Sequence, residues 1–236
     1  MKFLNLKQIA KIGALAGIIG ITGCATSPTQ SASSPPLPTG TVQWKLDNLQ
    51  SVGGSAPTVL GSPQVVNDAS GQAIGFNGVD EGLILPVVPI TGMKAFTVET
   101  LIYPQAGGPT EQRYLHTEDE AGNRLTFETR LTPAGQWALD TFLLSGRNQL
   151  ALLNMAKLHP ADQWYWVALR YDGATMTSFI NGVKEGEGPV VFPAMQEKGQ
   201  ISLGVRLNKK YWFKGLIREV RFTPSALSDA ALQRVK

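Results

Sequence analysis

The stretch WYWVALRYDGATMTSFINGV, Trp164 to Val183, decides the fold. Trp164 to Tyr171 is aromatic and aliphatic apart from Arg170. Asp172-Gly173 follows it, and Thr175 to Ile180 runs on to Asn181-Gly182. Both dipeptides tolerate the positive φ that tight hairpin turns demand. The stretch therefore predicts two antiparallel strands in succession. The same grammar recurs outward in both directions. Gln72 to Asn77, Gly82 to Pro86, Phe96 to Pro104, a run around Tyr114, Leu125 to Leu131, Trp137 to Leu144, Ile201 to Leu207 and Gly215 to Phe222 read as further strands. No helical period separates them, so a sandwich or barrel is expected. A helical turn is expected at Asp229 to Val235, with Ser228 as its cap.

Composition agrees. The chain has 236 residues, 43% hydrophobic and 17% charged, too apolar for disorder and too poor in charge for a coiled coil. Its 25 Gly and 15 Pro suit a turn-rich β protein. One cysteine excludes an intramolecular disulfide and a zinc site built on several thiolates. Three of the 21 basic residues, Lys2, Lys7 and Lys11, precede Cys24, leaving 18 to set against 18 acidic residues. The net charge of +3 thus belongs to the first segment, and no nucleic-acid partner is expected.

Residues 1–23 have the grammar of an export signal: three lysines, then an apolar run from Ile12 to Ile21 that is too short to span a bilayer. Ile21-Thr-Gly-Cys24 resembles the bacterial lipobox, which implies cleavage before Cys24 and acylation of its side chain and amino terminus. Ala25 after the cysteine implies the outer membrane by resemblance to enterobacterial sorting. The expected partner at this end is the lipid bilayer of a bacterial cell envelope. Residues 24–41 carry four prolines and no charge, and read as an extended tether to a folded domain at 42–236.

Three stretches of that domain resemble the laminin-G-like branch of the concanavalin A-like lectin/glucanase superfamily. They are Ala73 to Pro86 with Ala95 to Pro104; Trp164 to Gly173 with Ser178 to Val183; and Gly215 to Phe222 with Ala226 to Asp229. The resemblance implies an all-β, two-sheet antiparallel jelly-roll sandwich with one curved sheet forming a groove. The family often has His where Trp166 stands and Asp where Arg218 stands. Trp164, Val167, Leu169 and Phe179 are expected to pack between the sheets.

Strand alternation sorts the remaining candidates by face. Gln112, Tyr114 and His116 are expected to share one face. Glu128 and Arg130 oppose Phe127 and Leu131; Asp140 and Phe142 oppose Trp137 and Leu139; Arg206 and Asn208 oppose Val205 and Leu207. If the apolar sets line the core, these nine residues face outward together. Planar hydrogen-bonding groups and aromatic rings suit sugar hydroxyls and C–H faces, and arginine suits carboxylate or sulfate. Tyr211, Trp212 and Phe213, with Lys209, Lys210 and Lys214, are expected to flank the groove. The plainer alternative makes Glu128–Arg130 and Asp140–Arg206 ordinary cross-strand ion pairs.

A membrane-anchored, lectin-like module binding a carbohydrate, neutral or anionic, through the open face of one sheet is the expected function. A polysaccharide lyase using His116 or a tyrosine beside Arg130, a glycoside hydrolase, or a structural envelope protein are the alternatives. The E-x-D-x-x-E run of the superfamily's glucanases is missing, and Arg130 stands where a second acid would be wanted. No catalytic residue is assigned. No cofactor is expected beyond a structural calcium ion, for which Asp47, Asp80, Glu81 and Asp172 could supply oxygens without EF-hand spacing.

Overall fold

Asp172 closes the first turn of the deciding stretch: its Oδ1 accepts the N–H groups of Ala174 (2.9 Å) and Thr175 (2.8 Å). Asn181 and Gly182 both take positive φ, 49° and 70°, which aligns the next turn with the twist of its strands. The computed structural model describes residues 37–235. In chain order its strands are β1 (Val42–Lys45), β2 (Thr58–Leu60), β3 (Gln64–Asp68), β4 (Gly71–Asn77), β5 (Gly82–Leu85), β6 (Phe96–Pro104), β7 (Glu111–Asp119) and β8 (Arg124–Leu131). Then come β9 (Gln136–Ser145), β10 (Asn148–Leu153), β11 (His159–Pro160), β12 (Tyr165–Tyr171), β13 (Thr175–Ile180), β14 (Val183–Pro189), β15 (Gly199–Leu203) and β16 (Lys214–Thr223).

They form two antiparallel sheets. The first runs β14-β13-β12-β6-β16-β4-β3, with β1 also on β16. The second runs β10-β9-β8-β7-β15-β5-β2, with β11 also on β9. This is the expected all-β sandwich. Hairpins of consecutive strands, β7 to β10 and β12 to β14, are joined to the rest by pairings between distant strands such as β6 with β12 and β16, and β15 with β5 and β7, as in a jelly roll. Between the sheets lie Phe96, Val98 and Ile102 of β6, Val167 and Leu169 of β12, Phe127 of β8 and Trp137 of β9. Trp137 meets Tyr165 edge-on at 5.2 Å between ring centroids, and Trp44 meets Phe222 at 4.9 Å.

Several local expectations are corrected. The strand expected at Ile201 to Leu207 stops at Leu203. Gly204 takes φ +78°, and a Cβ there would come within 2.4 Å of Phe76, so the chain bends away. The expected helical end is a 3-10 turn at Asp229–Ala231, and Ser228 makes no side-chain cap. Phe179 does not pack between the sheets. It sits on the outer face of the first sheet with Ala168, under Leu232 of the C-terminal segment. That segment is pinned there: Glu99 accepts the Gln233 N–H (2.8 Å), Thr97 accepts the Leu227 N–H (2.9 Å), and Arg170 reaches Asp229 (2.6 Å). Trp164, also expected in the core, is half-buried beneath the Arg218 guanidinium, 4.0 Å from its ring centroid. The leader, Cys24 and most of the tether lie outside the described residues.

Candidate functional site

Strands β8 and β9 pair without interruption, with Arg124 opposite Leu144, Thr126 opposite Phe142, Glu128 opposite Asp140 and Arg130 opposite Ala138. Directly opposed residues share a face. Because Leu125, Phe127 and Leu131 of β8 enter the core, Glu128, Arg130, Asp140 and Phe142 stand on the outer face, as alternation predicts. Arg124 joins them. The apolar pattern that marks this strand in the sequence starts one residue later, at Leu125.

Strand β7 departs from alternation. Arg113 lies opposite Glu128 and Leu115 opposite Phe127, so Tyr114 is an extra residue in a β-bulge. Before the bulge, Glu111 and Arg113 face outward; after it, His116 and Glu118 do. Tyr114 and Gln112 therefore do not share the face of His116, which corrects the expectation for both. Tyr114 is 0% exposed and packs against Phe127 and Phe213. Gln112 is buried as a brace: its Oε1 accepts the Lys214 N–H (2.7 Å), and its Nε2 donates to the Pro109 carbonyl (2.7 Å). Phe213, expected to flank the groove, is in the core as well.

The outward groups form an ionic lattice across three strands. Arg130 bonds Asp140 through Nη2 (2.6 Å) and Nε (3.0 Å), and Glu128 through the same Nη2 (3.0 Å). Its Nη1 is 2.7 Å from Glu111. Arg113 reaches Glu128 (2.9 Å) and Glu111 (3.3 Å). Glu128 and Asp140 are only 5% and 4% exposed. Burial pushes both carboxyls above their usual range, and for Glu128 the adjacent Asp140 adds to the rise. Glu111, at the open edge, is pulled down, chiefly by its bond to Arg130. Asp140 thus pairs with Arg130 and not with Arg206. Its Oδ1 is buried and has no hydrogen-bond partner among the described residues.

The bulge also anchors the segment that follows β15. The Arg113 N–H donates to the Tyr211 carbonyl (2.9 Å), and the Gly204 N–H donates to the Tyr114 carbonyl (3.0 Å). The Arg113 guanidinium stacks on the Tyr211 ring at 3.7 Å. Lys209 and Tyr211 adopt positive φ, 58° and 63°, in this tight segment. Leu207 donates its N–H to His116 Nδ1 (3.1 Å), which leaves Nε2 as the protonated nitrogen, 3.2 Å from Glu118. Burial holds the His116 pKa below its ordinary value despite that carboxylate.

Two adjoining clefts open on this face. One, of about 650 Å³, is lined by His116, Glu118, Arg124, Gln200, Arg206 and Asn208 among others. The other, of about 250 Å³, has Glu128, Arg130, Asp140 and Phe142 in its wall and shares Arg124 and Arg206 with the first. Seven of the nine expected residues are thus brought together: His116, Glu128, Arg130, Asp140, Phe142, Arg206 and Asn208. Arg113 and Arg124 are the additions, with Glu111 at the edge. The acids considered for calcium do not converge. Asp80 accepts from Asn77, Asp47 accepts from Asn48, and Asp172 caps its own turn. No cluster of three or more metal-ligating acids, histidines or cysteines occurs among the described residues.

Solved structures share this architecture. Domain 4 of AbnA, a GH43 extracellular arabinanase from Geobacillus stearothermophilus, in complex with arabinotriose, is 21% identical with a TM-score of 0.58, over 80% of this chain and 94% of that one. The binding domain of botulinum neurotoxin DC in complex with SialylT is 10% identical with a TM-score of 0.57, over 81% of this chain and 49% of that one. A heptameric SAP-like pentraxin from Limulus polyphemus is 16% identical with a TM-score of 0.51, over 66% of this chain and 77% of that one. Among curated proteins no sequence match was found. At these identities the likeness concerns fold. The family model for Laminin_G_3 matches residues 77–233, from the end of β4 to the C-terminal segment over the first sheet. With its two antiparallel sheets and that match over more than half its length, the chain belongs to the concanavalin A-like lectin/glucanases superfamily.

Proposed function

We propose that the protein is a carbohydrate-binding module that grips a glycan across β7, β8 and β9. The observation that carries this is Asp140. Its Oδ2 is fixed by Arg130, its buried Oδ1 is an acceptor without a partner among the described residues, and the residue lines the smaller cleft together with the half-buried Phe142. A rigid acceptor next to an aromatic face suits a sugar hydroxyl above a C–H surface. The ionic lattice fixes these groups before any ligand arrives, which lowers the ordering cost of binding. The arabinotriose and SialylT complexes of the structural neighbours support the reading.

Binding is favoured over cleavage. Hydrolysis needs one carboxyl to give a proton while the other attacks or activates water. Here Glu128 and Asp140 are both bonded to one nitrogen of Arg130. A lyase base is no better placed: Tyr114 is sealed in the core, and His116 Nδ1 is taken by Leu207. The protein is further read as acyl-anchored through Cys24 at a bacterial outer membrane, with residues 24–41 as the tether.

Glycan-array retention of the full chain tests the main reading. Phe142→Ala should lower retention roughly tenfold, about 1.4 kcal/mol. Trp164→Ala, an aromatic of the opposite sheet, should leave it unchanged. Equal losses, or none, would defeat the assignment. New reducing ends or unsaturated uronate released from a polysaccharide would show an enzyme instead. Cys24→Ser should move the protein from the membrane to the soluble fraction.

A further inference from the structure

The smaller cleft is lined by four arginines, Arg113, Arg124, Arg130 and Arg206, and by two carboxylates, Glu128 and Asp140. Arg113 and Arg130 are matched by Glu111, Glu128 and Asp140 within the lattice. The other two arginines are not matched in this way. Arg124 has Glu118 at 4.0 Å, and that carboxylate already faces His116 at 3.2 Å. The Arg124 Nε is buried without a hydrogen-bond partner among the described residues. Arg206 has no carboxylate within ion-pair distance among the described residues, although it lines both clefts. The two guanidiniums without a close carboxylate of their own thus lie where the two clefts meet, with the Phe142 ring centroid 5.3 Å from the Arg124 guanidinium.

The larger cleft carries acids too, but they are engaged elsewhere. Asp119 accepts the backbone and side-chain N–H groups of Asn123 and the Gln196 N–H, and Glu120 lies 3.9 Å from Lys198. We propose that the glycan is acidic, and that the anionic oxygens of a uronate or a sulfate ester sit between Arg124 and Arg206 while the sugar ring rests on Phe142 and a hydroxyl bonds Asp140. This rests on the glycan-binding reading above and specifies its chemical class. Two guanidiniums facing one anion is a geometry that planar, bidentate arginine favours. Burial, and then the Arg206 charge, already pull the Arg124 pKa down, and an anion between the two relieves that repulsion.

The test compares polygalacturonate with its methyl ester, and dextran sulfate with dextran, by affinity electrophoresis and calorimetry of the full chain. At least one charged polymer should bind about tenfold more tightly than its uncharged counterpart. The pair that discriminates tells carboxylate from sulfate. Arg206→Gln and Arg124→Gln should bring that ratio close to one with the melting temperature retained. Lys94→Ala, an exposed cation in the loop between β5 and β6, should preserve it. Equal binding of charged and uncharged polymers overturns the acidic class but leaves a glycan-binding module. A ratio that survives Arg206→Gln, or falls as much in Lys94→Ala, shows diffuse attraction and also overturns it. Retention of no polymer and no arrayed glycan removes the glycan-binding reading itself.

Discussion

The outer faces of the two sheets carry similar residue types and meet opposite fates. On the first sheet, Glu99, Arg170, Arg221, Trp166 and Phe179 lie outside the core, as Glu128, Arg130 and Phe142 do on the second. The first face is closed by the chain itself. Leu227 and Leu232 cover Ala168 and Phe179, and main-chain N–H groups of the same segment satisfy Thr97 and Glu99. Arg170 stacks at 4.7 Å from the Phe179 centroid, and Arg221 at 4.8 Å from that of Trp166. On the second face the residues after β15 cover His116 and Arg113, and two clefts stay open beside them. Acids, arginines and aromatics on an outer face do not by themselves make a site. What separates the faces is whether backbone or an external molecule completes their hydrogen bonds.

The contrast can be broken most severely at Phe179. Phe179→Ala should cost about 3–5 kcal/mol by emptying the space under the C-terminal segment. Chemical denaturation would show this, and glycan retention of the folded fraction should not change. A loss of retention at intact stability would mean that the closed face also binds.

Arg130→Ala comes next, at about 3 kcal/mol, because it strips the shared partner from two buried carboxylates. Its pH dependence has a definite sign. Glu128 and Asp140 have raised pKa values in the folded state, so their ionisation lowers stability as pH rises through the raised values. Without Arg130 that penalty grows. Glu111, held low chiefly by Arg130, contributes stability above its unfolded pKa that the variant lacks. Both effects make the gap between wild type and variant narrow as pH falls from 7 towards the carboxylate range. A gap that widened on acidification would contradict the buried ionic lattice.

His116 should act more weakly and in the opposite direction. Its folded pKa is depressed below 6.5, so the folded state binds fewer protons than the unfolded chain in the window just under that value. Wild type should therefore lose stability as pH drops below 6.5. His116→Gln should remove that slope in melting curves taken from pH 7 to 5. The smallest effect belongs to Tyr114→Phe. The Tyr114 hydroxyl is buried without a partner among the described residues, so its removal should be neutral or stabilising by up to about 1 kcal/mol. Glycan binding should persist, which would confirm that this residue lies behind the face.

Much of this was written in the sequence, and the gaps have identifiable causes. Asp172-Gly173 and Asn181-Gly182 announce their turns because few other residue pairs accept such backbone angles. Strands β8 and β9 alternate cleanly from end to end, so Glu128, Arg130, Asp140 and Phe142 could be assigned to one face without coordinates. Strands β1, β2, β3, β10, β11 and β14 are not among those expected from the sequence. They are short or polar, and β14 holds two glycines, so hydrophobic periodicity is faint there. The bulge in β7 left no mark at all: Arg113-Tyr114-Leu115 contains no glycine and reads as ordinary strand. The one extra residue puts Glu111 and Arg113 on the outer face and Gln112 and Tyr114 behind it, against plain alternation from His116. The covered state of Phe179 was equally hidden, since alternation sorts a strand's two sides but does not say what later folds over them.

That single supernumerary residue makes the composition of the second face a matter of parity. Were the same residues paired in strict alternation back from His116, Tyr114 and Gln112 would turn outward, and Glu111 and Arg113 would turn into the hydrocarbon between the sheets. Within this architecture, one inserted residue thus decides which side chains of half a strand a ligand meets, with no change in their chemical type.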